Sequence, residues 1–227
     1  MANIPAAIKS IEDRAGNVRI LTLAPATPLT WLAGQYMHIG VEGYGSRAYS
    51  IASLPDDSGL IKFHIRNMGT GLSAHLAQNL KAGDTVGLKG PHGDMNTAAI
   101  NGRPVLMVAG GTGIAPMLAL SHDILTKKLS DQITLVYGAR IMADIYCQQE
   151  LDALSSTGKV TIHIVNDPQT PDLQLRQLQL DLSNHVIYVS GPDPMMLPVH
   201  AALADLGADR TRIFCDADME TLQKNIT

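Results

Sequence analysis

The run PVLMVAGGTGIAPMLAL, residues 104–120, passes from an apolar strand straight into a glycine turn and then a helix. Such a turn exposes backbone N–H groups at a helix N-terminus, where their partial positive charge holds phosphate oxygens, and Gly110, Gly111 and Gly113 permit close approach. Gly111, Thr112, Gly113, Ile114 and Pro116 are therefore candidate contacts. Pro116 falls in the first helical turn, where a missing N–H costs nothing. The spacing departs from G-x-G-x-x-G, because proline stands where the third glycine would be. A tight turn without a ligand accounts for the glycines equally well. Two further strand ends carry polar or glycine residues: YGAR, with Gly138 and Arg140, and SGPDPMM, with Ser190, Gly191 and Asp193. Open parallel sheets bind ligands beyond the carboxyl ends of their strands, so three such ends point to one nucleotide site. Arg140 faces either a ribose and its 2′-phosphate or plain solvent; Met195 and Met196 read as helix core. A second unusual stretch, SRAYSIAS at 46–53, puts Arg47, Tyr49 and Ser50 inside what otherwise reads as a short buried strand. Taken alone, these residues cap a barrel edge, enter the core and bond locally.

The elements that position these residues fall into two regimes. The first hundred residues are short alternating or apolar runs (NVRILTLAP, GQYMHIGVEG, RAYSIASLPDD, LIKFHIRN, DTVGLKGPHG) punctuated by glycine, proline and aspartate, the rhythm of an antiparallel barrel. One helix interrupts them in GTGLSAHLAQNLKAG, with Ser73 as N-cap, Leu76 and Leu80 at helical spacing and Gly83 after its end. From Arg103 strand and helix patterns alternate, as in a parallel sheet with crossover helices. The fold class expected is thus two-domain, a β-barrel over 1–98 and an α/β nucleotide-binding domain over 99–227, with the boundary in NTAAINGRP, 96–104.

Composition narrows the function classes. The chain has 227 residues, 45% hydrophobic and 17% charged, with a formal net charge of −4. That balance offers no basic stripe for nucleic acid, and no apolar run approaches the roughly 18 residues needed to cross a membrane. The N-terminus lacks the charged start and apolar block of a secretory signal, so a cytoplasmic setting is expected. Cys147 and Cys215 lie far apart without a C-x-x-C neighbour, and the histidines show no H-E-x-x-H, so no metal site is expected. The two cysteines read as packing residues.

AGQY (33–36), RAYS (47–50), GTGLSAHL (69–76), GPHG (90–93), GGTGIAP (110–116), YGAR (137–140) and SGPDPMM (190–196) occur in order over nearly the whole chain. Together they resemble the ferredoxin–NADP reductase superfamily, in particular its NAD(P)H-dependent flavin reductases and oxygenase reductase modules. The resemblance implies FAD, with FMN the alternative, and NADH or NADPH as hydride donor. Arg47, Ala48, Tyr49 and Ser50 would line the flavin: Arg47 pairing its fork with a phosphate, Tyr49 lying against the ring and Ser50 offering its hydroxyl to N5. Tyr49 and Ser50 are the implied catalytic pair. His64, Ile65 and Arg66 would be secondary flavin contacts, and Gly71, Leu72 and Ser73 would give N–H groups to its phosphate. Ser190 stands where many relatives have cysteine, and no aromatic follows Phe214, where many relatives stack a ring on the flavin. Asp216, Asp218 and Glu220 lie near the flavin or in solvent. The implied activity is electron transfer from NAD(P)H through bound FAD to a separate oxygenase component or ferredoxin. Two other readings stay open: a reductase of free flavin, and an electron-transfer or regulatory subunit of a larger complex. With no cluster domain in these residues, an iron–sulfur carrier is expected on another chain.

Overall fold

The computed structural model describes residues 4–216. Six antiparallel strands come first: β1 (Ile4–Arg14), β2 (Val18–Pro25), β3 (Tyr36–Val41), β4 (Gly45–Ser50), β5 (Ile61–Arg66) and β6 (Thr85–His92), in the order β4-β3-β6-β1-β2-β5. A bridge between Ile51 and Phe63 ties the two edges of the sheet into a barrel. Alternation places Met37 and Ile39 of β3 and Ile61, Phe63 and Ile65 of β5 inside, around Trp31 and Leu88. The Trp31 indole N–H donates to the Ser53 carbonyl at 2.9 Å, so the ring is buried without an unpaired donor. A short helix, α1 (Gly71–Gln78), packs against β5 and β4 where the barrel opens.

The second half alternates β7 (Val105–Gly110), α2 (Ile114–Lys127), β8 (Ile133–Ala139), α3 (Gln148–Ser156), β9 (Val160–Asn166), α4 (Pro171–Leu178), β10 (Val186–Ser190), α5 (Asp193–Asp205) and β11 (Ile213–Cys215). Its five strands are parallel, in the order β11-β10-β7-β8-β9. Every residue of β7 is buried, because helices cover both faces of the sheet. One face packs Met107, Leu135 and Tyr137 against α2 and α3, and the other packs Leu106, Val108 and Val136 against α4 and α5. Val18, Ala33 and Met95 of the first half join the former cluster, so the two halves share an apolar seam. The Tyr188 hydroxyl donates to the Asn96 carbonyl at 2.8 Å, and the Thr97 hydroxyl to Asp123 at 2.6 Å, which fastens the connecting segment to β10 and α2.

Four local expectations change. β4 is an exposed edge strand rather than a buried one: residues 45–48 are exposed, and only Tyr49 and Ser50 are half-buried. The N-cap of α1 is Thr70, not Ser73; Ser73 is a buried first-turn residue whose hydroxyl bonds back to the Thr70 carbonyl at 3.3 Å. α1 ends at Gln78, well before Gly83, which turns the chain toward β6. β1, α4 and β11 also add to the expected elements. α4 carries a sequence signal in Pro171 at its first turn after Thr170.

Candidate active site

At the barrel opening, Arg47 and Tyr49 lie opposite Ile39 and Met37 in the β3–β4 register, so they share one face of the edge strand. Arg47 is exposed there. The Tyr49 hydroxyl is buried without a hydrogen-bond partner, and burial pushes its pKa up, the nearby Arg47 charge opposing. A buried phenol left unsatisfied costs free energy that a bound acceptor would recover. Ala48 and Ser50 alternate to the other face, opposite His38 and Tyr36. No side chain caps the N-terminus of α1, which leaves the first-turn N–H groups of Gly71 and Leu72 available to an anion. The Leu72 side chain is itself in the barrel core, so this residue contributes backbone alone.

The three β5 candidates diverge. Ile65 is fully buried in the barrel core, and only its backbone can meet a ligand. His64 turns the other way, its Nδ1 2.9 Å from the Tyr146 hydroxyl of the second half. Burial first, then the charges of Arg14 and Lys62, push the His64 pKa down to about 4, so the ring is neutral at pH 7. A buried, neutral, hydrogen-bonded histidine is a poor general base. Arg66 reaches across the seam: its guanidinium is 3.9 Å from the Asp144 carboxylate and close to Gly111, where a Cβ would sit 3.7 Å away. Its Nε is buried and unpartnered.

On the nucleotide side, Gly111–Gly113 forms a single 3-10 turn that leads into α2. Gly111 has φ +55°, a conformation that glycine adopts without strain. Gly113 is glycine for a different reason: a Cβ there would lie 2.1 Å from the Ser190 carbonyl oxygen. The side chains of Ile114 and Pro116 are buried in protein, so these two residues frame the turn rather than face a ligand. Thr112 is half-buried. Gly110 pairs with Gly138 and Ala109 with Ser190, so the turn and the ends of β8 and β10 stand side by side. Gly138 is pressed against Pro171, Gly191 against Met195, and Asp193 opens α5 exposed.

Arg140 is exposed just beyond β8. The register Ala139↔Asn166 puts Asp167 beside it at the end of β9. Asp167 is a site candidate missed in the sequence, although the turn residues Asn-Asp-Pro after the strand KVTIHIV were a visible signal. Ser190 is fully buried, and its hydroxyl donates to the Asp216 carboxylate. Asp216 is exposed as a residue, yet desolvation of its carboxyl outweighs the Ser190 hydrogen bond and raises its pKa to about 6. Asp218 and Glu220 lie outside the described residues. Cys147 is fully buried, its thiol pushed up to about 12 chiefly by burial, and Cys215 is half-buried in β11. Among the described residues no group of three or more His, Cys, Asp or Glu side chains is placed to hold a metal ion. No helix there is long and apolar enough to cross a membrane. A surface groove of about 510 Å³ is lined by His38, Gly40, Glu42, Ser46 and Lys89, residues of β3, β4, β6 and the β3–β4 hairpin.

The uncapped α1 start, the unsatisfied Tyr49 hydroxyl and the Arg66 donor beside the glycine turn fit a flavin and a dinucleotide meeting at one cleft. Comparison with known proteins agrees. Residues 5–97 match the oxidoreductase FAD-binding domain and residues 107–200 the oxidoreductase NAD-binding domain. The chain is 32% identical over 186 residues to terephthalate 1,2-dioxygenase, reductase component 1, of Comamonas sp, covering 77% of this chain and 55% of that protein. It is 30% identical over 222 residues to the ferredoxin–NAD(P)(+) reductase component of the naphthalene 1,2-dioxygenase/salicylate 5-hydroxylase systems of Ralstonia sp, covering 92% of this chain and 67% of that one. The chain thus spans about half to two thirds of the length of these relatives. Among solved structures, cytochrome P450 reductase GcoB of Amycolatopsis superposes with TM-score 0.87 at 26% identity, over 94% of this chain and 69% of that one. The FAD/NAD-binding domain of Vibrio cholerae nitric oxide dioxygenase shares the fold, with TM-score 0.84 at 24% identity over 95% of this chain and 98% of that one. An FAD-binding antiparallel barrel joined to an NAD-binding parallel sheet, matched along its length by oxygenase reductases, places this chain in the ferredoxin–NADP reductase family of NAD(P)H-dependent flavoprotein oxidoreductases.

Proposed function

We propose that this protein takes hydride from NAD(P)H onto FAD and delivers the electrons to a separate acceptor protein, an oxygenase component or a ferredoxin. The observation that carries the reading is the position of Arg66, a barrel residue whose guanidinium lies at Gly111 of the nucleotide turn, so that the two half-sites face one cleft. The division of labour follows as 1–98 for the flavin and 99–227 for the nucleotide. When bound, FAD would supply the redox chemistry that links a two-electron donor to a one-electron acceptor. The protein supplies placement and electrostatics. Arg47 and the α1 amides of Gly71 and Leu72 hold the flavin phosphates, with Ser73 bracing the turn. Tyr49 lies against the ring, and Ser50 donates its hydroxyl to the atom that receives hydride. The amides of Gly111 to Gly113 hold the dinucleotide phosphates, while Arg140 and Asp167 meet its ribose and Ser190 and Gly191 border the nicotinamide. Asp216 holds the Ser190 hydroxyl in one orientation. The Comamonas and Ralstonia relatives are reductase components of dioxygenase systems, which supports a protein acceptor.

The test is the absorption spectrum of the purified protein before and after anaerobic NADH or NADPH. The expected result is a tightly held flavin bleached by one of them and slow turnover of added FMN or riboflavin. Protein that purifies colourless and reduces free flavin with saturation in the micromolar range would instead identify a free-flavin reductase. Bound flavin that neither nucleotide bleaches would leave a subunit without turnover of its own.

A further inference from the structure

We propose that the stacked pair Tyr44–His75 is the seat of the adenine ring of FAD and the feature that selects FAD over FMN. The inference rests on the flavin site proposed above and adds residues to it. Tyr44 sits at the tip of the β3–β4 hairpin between Gly43 and Gly45, with φ +80° and +75°; no atom lies within 4 Å of where a side chain at either would begin. The two residues that flank this large aromatic ring carry no side chains. The ring lies on His75 of α1, ring centroids 3.9 Å apart and planes 20° from parallel, while Tyr44 remains 45% exposed. One face is therefore covered by imidazole and the rest is open to a second flat ring. With Tyr44 exposed and His75 half-buried, the stack buries only part of the tyrosine ring.

The location is what gives the pair a ligand. His75 is four residues after Gly71, on the same face of α1, and the first-turn amides of Gly71 and Leu72 have no capping side chain. Gly71 has no side chain to obstruct that face, and nothing lies within 4 Å of where one would be. The uncapped start of α1 and the aromatic pair thus lie on one face of the helix, about one turn apart. Arg47 lies three residues along the edge strand from Tyr44, about 10 Å of extended backbone. A diphosphate held by Arg47 and α1 places the adenosine beyond it along this face, where the purine stacks on Tyr44. FMN ends at its single phosphate and cannot reach the ring, so stacking here is a term that only the dinucleotide gains.

Base–aromatic stacking lost on substitution by alanine typically costs on the order of tenfold to hundredfold in affinity. The experiment strips flavin from the full-length protein and titrates FAD and FMN separately into wild type, Tyr44→Ala, Tyr44→Phe and His75→Ala, following the quenching of flavin fluorescence. The expected result is a loss of FAD affinity of that size in Tyr44→Ala, unchanged FMN affinity, and retention of FAD affinity in Tyr44→Phe. Equal loss of both flavins, or an unchanged FAD affinity, would overturn the assignment. Wild-type protein that binds FAD and FMN equally overturns this inference and leaves the flavin site standing. Wild-type protein that binds neither overturns both.

Discussion

His64 offers the most direct check on how the two halves are joined. Its ring is buried at the seam against Tyr146, with Arg14 and Lys62 contributing positive charge, and its pKa is held down at about 4 against an ordinary 6.5. In the unfolded chain the imidazole protonates near 6.5, whereas in the folded protein it resists protonation until about pH 4. The unfolded state therefore binds more protons throughout that window, and stability is lost as pH falls through it. A drop from 6.5 to about 4 corresponds to roughly 3 kcal/mol, most of which is already gone at pH 4.5. His64→Gln keeps a polar partner for the Tyr146 hydroxyl but does not titrate. Urea unfolding of both proteins at pH 7 and pH 4.5 isolates the effect, because every carboxylate is common to the two. Wild type should lose roughly 2 to 3 kcal/mol more than the variant between those pH values. Parallel losses would refute a buried, neutral His64 at the seam.

Arg47→Ala should weaken FAD binding roughly tenfold to hundredfold, the range for a hydrogen bond to a charged group, as read by flavin titration. Ser50→Ala should retain flavin but slow its bleaching by NADH in stopped-flow, since the hydroxyl acts on charge that develops during hydride transfer. Gly113→Ala should reduce stability and soluble yield rather than raise the NAD(P)H requirement alone, because its Cβ would lie 2.1 Å from the Ser190 carbonyl; a stable variant with an altered nucleotide KM would show the close contact to be relieved cheaply. Asp167, beside Arg140, should accept hydrogen bonds from ribose hydroxyls and repel a 2′-phosphate, so NADH is the expected donor and Asp167→Ser should narrow the preference in kcat/KM measurements.

The barrel followed by an α/β half, and the glycine turn between β7 and α2, were legible because they rest on local chemistry. A glycine turn between an apolar strand and a helix reads the same wherever it occurs, and seven short motifs in fixed order carry the family even when each is weak. Reading the β4 strand as buried failed because hydrophobic pattern reports neighbours in sequence, and exposure of an edge strand depends on which strand lies beside it. Assigning the α1 cap to Ser73 failed for a related reason. Serine is a good cap, but here the chain enters the helix at Thr70 and spends the serine hydroxyl on the turn behind it. Gly113 was legible as a glycine and illegible as to cause, since the atom that excludes a side chain belongs to Ser190, far along the chain. The seam was wholly hidden. His64 and Tyr146 are 82 residues apart, and Arg66 and Asp144 come from different halves of the chain, so no periodicity or spacing relates them. Sequence by itself determined most of the local elements, though not β1, α4 or β11, and which ligands their chemistry suits. Tertiary structure alone decided which side chains those ligands meet, because burial, register and contact between distant strands are properties of the packed chain.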